Sequence, residues 1–211
     1  NPSAIDLKKI LVVKANNRPD GISAKMFDVF VENLDKNKVE VTTFDVYAQA
    51  MPYIGQTLFD SFGKQAQNQE LNEAEQALMS VRQEVMDKFA PADTIVFAFP
   101  MWNLTIPAAL HTFIDYIFQA GFTFSYNADG SMNQLLADKE IVLLNARGGI
   151  YSGDMNVMEN AVTFMEKVFG GMFGMTITDE VIIEGHNADP SKTAEIIADG
   201  MERVAAVAKK F

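Results

Sequence analysis

The chain has 211 residues, of which 48% are hydrophobic and 21% charged, which is enough apolar material for one sizeable globular core. Its net charge of −11 argues against a nucleic acid partner, because phosphates would be repelled rather than neutralised. The sequence contains no cysteine, so disulfide, thiolate and iron–sulfur chemistry are excluded and any redox reaction needs a bound cofactor.

Metal and membrane binding are not expected either. The two histidines, His111 and His186, lie far apart and share no ligand spacing. No apolar run approaches the roughly 18 residues that span a bilayer. The first residues lack the basic-then-apolar pattern of a secretion signal, which favours a cytoplasmic protein. Residues 1–6 are expected to be a disordered or processed end and are left out of the fold prediction.

The first third of the chain predicts two strands and a helix. Residues 9–15 form a continuous apolar run, which is typical of a strand covered on both faces. Apolar residues then recur at helical spacing, at Ile22, Met26, Phe30 and Leu34. Residues 38–47 alternate like a strand nearer the sheet edge. Residues 48–69 are predicted to be a long irregular stretch.

The rest of the chain repeats this alternation. A helix is predicted from Asn72, whose side chain would cap it together with Glu75 three residues on. Further strands are predicted over residues 94–99, 140–146 and 175–185. Further helices are predicted from about Pro107, over residues 155–169, and after Asp189-Pro190.

Five strands that alternate with five helices predict an α/β protein with a parallel sheet and helices on both faces. Five strands suit the flavodoxin-like three-layer sandwich, with strand order 2-1-3-4-5, better than a six-stranded dinucleotide fold. No repeat or linker divides the chain, so residues 1–211 are predicted to form a single domain. Ligands of such sheets bind beyond the carboxyl ends of the strands, where the loops after strands one, three and four meet.

The first of these loops, "ANNRPDGIS", ends at a helix N-terminus, where free amides and the helix dipole favour a phosphate. Asn16 and Ser23 could add side-chain donors. The loop has neither G-x-G-x-x-G nor a Walker lysine, so it predicts the single phosphate of a mononucleotide. The alternative is an ordinary turn in which Ser23 caps the helix.

The second loop, "PMWNLTIP", offers Met101 and Trp102 as a flat apolar surface and Asn103 as an amide, which would suit an isoalloxazine ring. Prolines at both ends favour a preformed site. The alternative is that Trp102 is a core anchor.

The third loop, "NARGGIYSGD", places Gly148-Gly149 directly after a strand, where backbone amides could approach a ligand closely. Arg147 could assist there, or be a surface or ion-pair residue. Residues 121–130 alternate aromatic with small residues, so they predict either a wall over a planar substrate or a hairpin arm in an interface. The apolar residues 168–175 end a helix and favour dimerisation.

Together, "PMWNLTIPAALHTFIDYIFQAGFTFSYNADG" and the later "ARGGIY" resemble the FMN-dependent NADH-azoreductases, also called FMN-dependent NADH:quinone oxidoreductases. The resemblance extends from about residue 9 to residue 211. It implies a flavodoxin-like fold and a homodimer with two FMN sites at the interface. It also implies a ping-pong reaction in which NADH reduces FMN and a quinone or azo compound then takes two electrons.

The resemblance assigns site residues by matching positions. Those expected to line the FMN ring are Met101, Trp102, Asn103 and Leu104. Those expected at its pyrimidine edge are Ala146, Arg147, Gly148 and Gly149. Tyr126 would shape the substrate side, and Phe173 would reach across the dimer interface. No side chain is expected to be catalytic, because the chemistry lies on N5 of FMN.

Two positions depart from the pattern of this family. Ile22-Ser23-Ala24 stands where Ser-x-Ser is common, and Ala146 stands where a serine often precedes Arg-Gly-Gly. Two alternative functions stay open at this stage. One is a flavodoxin-type carrier that uses FMN to pass single electrons, and the other is a flavin-free interaction domain on the same fold.

Overall fold

The computed structural model describes residues 7–211, so the expectation for residues 1–6 lies outside the described residues. Its helices and strands follow in the order β1 (Lys8–Lys14), α1 (Ile22–Glu32), β2 (Val39–Asp45), α2 (Gln56–Ala66), α3 (Glu73–Phe89), β3 (Thr94–Pro100), α4 (Ala108–Ile117), β4 (Phe124–Tyr126), β5 (Met132–Gln134), β6 (Glu140–Arg147), α5 (Val162–Met165), β7 (Thr176–Glu184) and α6 (Thr193–Ala208). Strands and helices therefore alternate as the hydrophobic pattern predicts.

The main sheet is parallel and has the order β2-β1-β3-β6-β7. Strands β4 and β5 form a separate antiparallel hairpin. Counting only the five strands of the main sheet, the order is the predicted 2-1-3-4-5. The predicted flavodoxin-like architecture is thus confirmed, and the carboxyl ends of β1, β3 and β6 lie side by side.

Helices cover both faces of this sheet. Helices α1 and α6 pack on one face, against alternate strand residues such as Val12, Val96 and Leu144. The other face carries α3, α4 and α5, against residues such as Val13 and Phe97. Every residue of the central strand β3 is buried, which accounts for its continuous apolar run.

Two predicted segments differ in the structure. Residues 48–69 are not irregular throughout, because α2 lies within them and buries Leu58. Residues 155–169 are not one helix: a 3₁₀-helix spans Asp154–Met158, and α5 continues into a π-helical turn at Glu166–Met172. The break has a cause, since the Glu159 carboxylate accepts the backbone N–H groups of Ala161, Val162 and Thr163 and so sets the start of α5.

Candidate active site

A cavity of about 380 Å³ opens at the carboxyl edge of the sheet. The three loops that the sequence singled out contribute to it, as predicted for this type of fold. The sequence-predicted residues that line it are Asn16, Ser23, Met101, Trp102, Ala146, Arg147 and Gly148. Residues from the loop after β7 and from the start of α6 also line it, and sequence reasoning had not included them.

The first loop holds its polar side chains in fixed positions. Asn16 Nδ2 donates to Ser23 Oγ at 2.8 Å, and Asn16 Oδ1 accepts the N–H of Arg18 at 3.0 Å. Asn16 and Ser23 are both buried. Ser23 Oγ accepts from Asn16, so this buried pair fixes the loop backbone beside the cavity. The alternative in which Ser23 caps the helix is wrong, because Gly21 is the N-cap residue and no side chain caps α1.

Helix α1 begins beside this cavity without a side-chain cap. Gly21 is its N-cap residue, and no side chain accepts a hydrogen bond from the first turn. The free amides and the positive end of the helix dipole make this start suited to an anion. Gly21 has an ordinary extended conformation, but a Cβ there would lie 2.5 Å from Asn16 Nδ2. Glycine is thus required by the packing of Asn16.

The second loop is held in a tight, strained turn. Trp102 and Thr105 exchange backbone hydrogen bonds of 2.9 and 3.1 Å. Between them Asn103 and Leu104 have φ values of 53° and 73°, in the left-handed region. Each such non-glycine residue costs about 1–2 kcal/mol. Met101 N–H donates to the carbonyl of Ala146 at 2.9 Å, which ties this loop to the end of β6.

The third loop packs against the loop that follows β7. A Cβ on Gly148 would collide with Asn187 Nδ2, and the N–H of Asn187 donates to the Gly148 carbonyl at 3.0 Å. The N–H of Gly185 donates to the Gly149 carbonyl at 3.1 Å. The glycines therefore allow the loop after β7 to pack against them, in addition to any role toward a ligand.

Arg147 is an ion-pair residue, which was the alternative interpretation from sequence. Its Nε and Nη2 donate to Asn145 Oδ1 at 3.0 and 2.8 Å, and Nη2 lies 3.4 Å from Glu159 Oε1. Both side chains of this ion pair are buried. The same Glu159 carboxylate starts α5, so the network links the cavity wall to that helix.

Five predicted site residues lie outside this cavity, and the fifth of them is Phe173. Asn103 lines a neighbouring cavity that also contacts Trp102. Leu104 and Gly149 line neither cavity. Tyr126 lies on the β4–β5 hairpin with 64% of its surface exposed, so the hairpin-arm interpretation of residues 121–130 describes its position.

The expectation for Phe173 is wrong. Its side chain is fully buried, with its ring centroid 5.0 Å from that of Phe118 and 5.6 Å from that of Phe169. A core side chain without exposed surface does not reach a substrate across an interface. Phe173 directly follows the π-helical turn and packs within the core.

The loop after β7 supplies cavity residues that the sequence analysis did not identify. His186 and Asn187 line the cavity, together with Thr193 of α6. Burial lowers the pKa of His186, and its Nδ1 has no hydrogen-bond partner. The stretch "GHNADPSKT" carried a usable signal, because it follows a buried strand at the same edge of the sheet as the three recognised loops.

Within residues 7–211, no group of three or more His, Cys, Asp or Glu side chains is placed to hold a metal ion. None of the helices in that range combines the length and apolar character needed to cross a bilayer.

Comparison with known proteins places this architecture in a family. A family model described as the flavodoxin-like fold matches residues 8–208. FMN-dependent NADH:quinone oxidoreductase 4 of Bacillus cereus is 43% identical, over 96% of this chain and 99% of its own. FMN-dependent NADH:quinone oxidoreductase 1 of Bacillus subtilis is 37% identical, over 97% and 100%.

Solved structures agree with these sequence relatives. An azoreductase from Bacillus anthracis str. Sterne superposes with a TM-score of 0.85 and is 42% identical, over 97% of this chain and 100% of its own. An FMN-dependent NADH-azoreductase from Bacillus anthracis, solved in complex with FMN, has a TM-score of 0.82 and 26% identity, over 97% and 99%.

Proposed function

Because this chain belongs to the flavodoxin-like family of FMN-dependent NADH:quinone oxidoreductases, we propose that it is an FMN-dependent enzyme that transfers two electrons from NADH to quinones and aromatic azo compounds. Residues 1–211 then form a single FMN-binding domain. A cytoplasmic location is part of the same proposal, since NADH is a nucleotide of the cell interior.

The observation that carries this proposal is the composition of the cavity at the carboxyl edge. The uncapped start of α1 and Ser23 line this cavity, and a helix start suits a phosphate. Met101 and Trp102 line the same cavity, and they suit a flat aromatic ring. A mononucleotide such as FMN needs both features in one site, so the residues present fit this cofactor.

When bound, FMN supplies the redox chemistry, and the protein supplies binding, orientation and exclusion of water. In this proposal the α1 amides and Ser23 hold the phosphate. Met101 and Trp102 support the ring, and Asn103 and Leu104 contribute through the rigid turn that presents Trp102. The backbone of residues 146–149 lies at the pyrimidine edge, where its shape is maintained by the buried Arg147–Glu159 pair.

Homodimerisation with FMN sites at the interface is a further part of the proposal. Large apolar side chains are exposed, including Tyr53 and Val157, each at 83%. Val157 lies in the 3₁₀-helix, and the next residues bind the second loop, where the N–H of Asn160 donates to the Leu104 carbonyl at 2.8 Å. An interface that covered this surface would thus adjoin the site. Tyr126, which is exposed on the β4–β5 hairpin, shapes the substrate side in the same proposal.

Light scattering tests the dimer directly. We expect twice the 23.3 kDa chain mass for the unaltered protein. The Val157→Asp variant should move toward the chain mass, since a buried charge opposes association. A single-chain mass for the unaltered protein at micromolar concentration would contradict this part of the proposal.

The enzymatic activity is tested by an anaerobic NADH titration of the FMN-loaded protein, followed by the visible flavin absorbance, with menadione added at the end. We expect NADH to bleach the flavin completely in one stage and the quinone to restore the absorbance promptly. A flavin that stays oxidised with NADH, or is reduced in two separate one-electron stages, would favour the electron carrier. A protein that takes up no FMN would favour the interaction domain.

A further inference from the structure

His186 is a buried side chain that the proposed FMN contacts do not use. It lies directly after the turn residue Gly185 and is 8% exposed. Its ring lines the cavity, but Nδ1 is buried and has no hydrogen-bond partner. Buried polar atoms of native proteins are nearly always paired, so this unpaired Nδ1 restricts which tautomer the ring adopts.

The backbone fixes this histidine in place. The Thr193 hydroxyl donates to the His186 carbonyl at 2.6 Å, which attaches the residue to the start of α6. The adjacent Asn187 N–H donates to the carbonyl of Gly148 at 3.0 Å. His186 is therefore anchored between α6 and the end of β6.

This anchoring places His186 on the same side of the sheet as the start of α1. Helix α1 contacts α6 directly, and it also packs over β3 and β6. Both helices run antiparallel to the strands that precede them, so both begin at the carboxyl edge. The same cavity is lined by Ser23 near the start of α1 and by His186 and Thr193 near the start of α6.

The protonation of the ring follows from its surroundings. Burial lowers the pKa of His186, so the free protein carries a neutral imidazole with one N–H. A buried donor without an acceptor is rarer than a buried acceptor without a donor. The proton therefore belongs on Nε2, and the ring presents a donor to the cavity.

We propose that His186 is an additional FMN-binding residue, which donates a hydrogen bond from Nε2 to the FMN phosphate. It adds a side-chain donor to the backbone amides at the uncapped start of α1. This inference rests on the proposed function, because it concerns how the same cavity selects its cofactor.

Two flavins that differ only in the phosphate test the proposal. Dissociation constants of FMN and of riboflavin are measured on the apoprotein by quenching of flavin fluorescence, with thermal midpoints to check folding. The variants are His186→Leu, which removes the donor, and His186→Gln, which keeps an N–H donor of similar reach.

We expect His186→Leu to weaken FMN about tenfold or more, because hydrogen bonds to charged groups contribute about 1.5–3 kcal/mol. Riboflavin should change by less than about twofold, and His186→Gln should restore most of the FMN affinity. Equal weakening of both flavins, or unchanged FMN affinity in the leucine variant, would overturn the inference while leaving the proposed function intact. Absence of FMN binding by the unaltered protein would overturn both.

Discussion

Helices α1 and α3 differ in whether their first-turn amides are capped by a side chain. At α3, Asn72 Oδ1 accepts the N–H of Glu75, and Glu75 Oε1 accepts the N–H of Asn72, both at 2.8 Å. This reciprocal capping box satisfies the start of α3 within the chain. At α1, Gly21 occupies the capping position and provides no acceptor.

The difference separates a helix start that serves stability from one that serves binding. The Asn72 side chain is used on its own helix, whereas the polar residues near α1, Asn16 and Ser23, bind each other beside the open amides. A ligand at α1 can therefore take the place that a capping side chain takes at α3. Substitutions at the start of α1 should therefore change FMN affinity, whereas substitutions at the start of α3 should change the stability of the protein.

The largest effect is expected for Gly21→Ala. The new Cβ would lie 2.5 Å from Asn16 Nδ2, so the Asn16 side chain must move and Ser23 loses its fixed orientation. We expect the dissociation constant of FMN to rise about 10- to 100-fold, the size of one or two hydrogen bonds to a charged group. Fluorescence quenching measures this change.

Gly55→Ala is the matched control, because Gly55 is the N-cap of α2 and a Cβ there would meet nothing within 4 Å. Its φ of −177° is extended backbone that alanine also adopts. We expect FMN affinity to stay unchanged in this variant. If Gly21→Ala bound FMN as tightly as the unaltered protein, the start of α1 would not be the phosphate site.

The sequence predicts a structural feature well when the residues that cause it are close together in the chain. The start of α3 was predictable, since Asn72 and Glu75 are three residues apart and form the capping box themselves. The sheet order followed from the alternating pattern of strands and helices. The first loop was predicted to hold a phosphate for the same local reason, its position between a buried strand and a helix, and it does line the cavity.

The features that escaped prediction depend on contacts distant in sequence. Gly148 is constrained by Asn187, and His186 reaches the cavity because the last strand of the sheet ends beside β6. Phe173 lies in the core directly after a π-helical turn, which the spacing of apolar residues does not reveal. These relations become visible only when the strands are paired.

A smaller effect, on stability instead of binding, is expected for Asn72→Ala. The substitution removes the acceptor for the Glu75 N–H and should lower the free energy of unfolding of the apoprotein by about 1 kcal/mol. Urea denaturation measures it. The FMN dissociation constant of the folded variant should stay within about twofold of the unaltered protein, and a larger change would mean that the two helix starts are coupled.

The smallest effect concerns the charge at the start of α3. Glu75 accepts from Lys64 Nζ at 2.6 Å and from the Asn72 N–H, and these bonds, that of Lys64 foremost, lower the pKa of its carboxyl. A lowered carboxyl pKa adds stability above the pKa of the unfolded chain, about 4.3. That contribution disappears as the pH falls through the lower pKa of the folded protein.

Glu75→Gln isolates this charge, because glutamine can still accept the Asn72 N–H and complete the capping box. We expect the variant to be less stable than the unaltered apoprotein near neutral pH, and the two urea midpoints to converge as the pH falls through the lowered pKa of the folded carboxyl. If the difference between the two urea midpoints stayed the same at every pH, the charge of Glu75 would not contribute to stability. FMN affinity should not change, because this charge lies at the start of α3, where side chains already cap the helix.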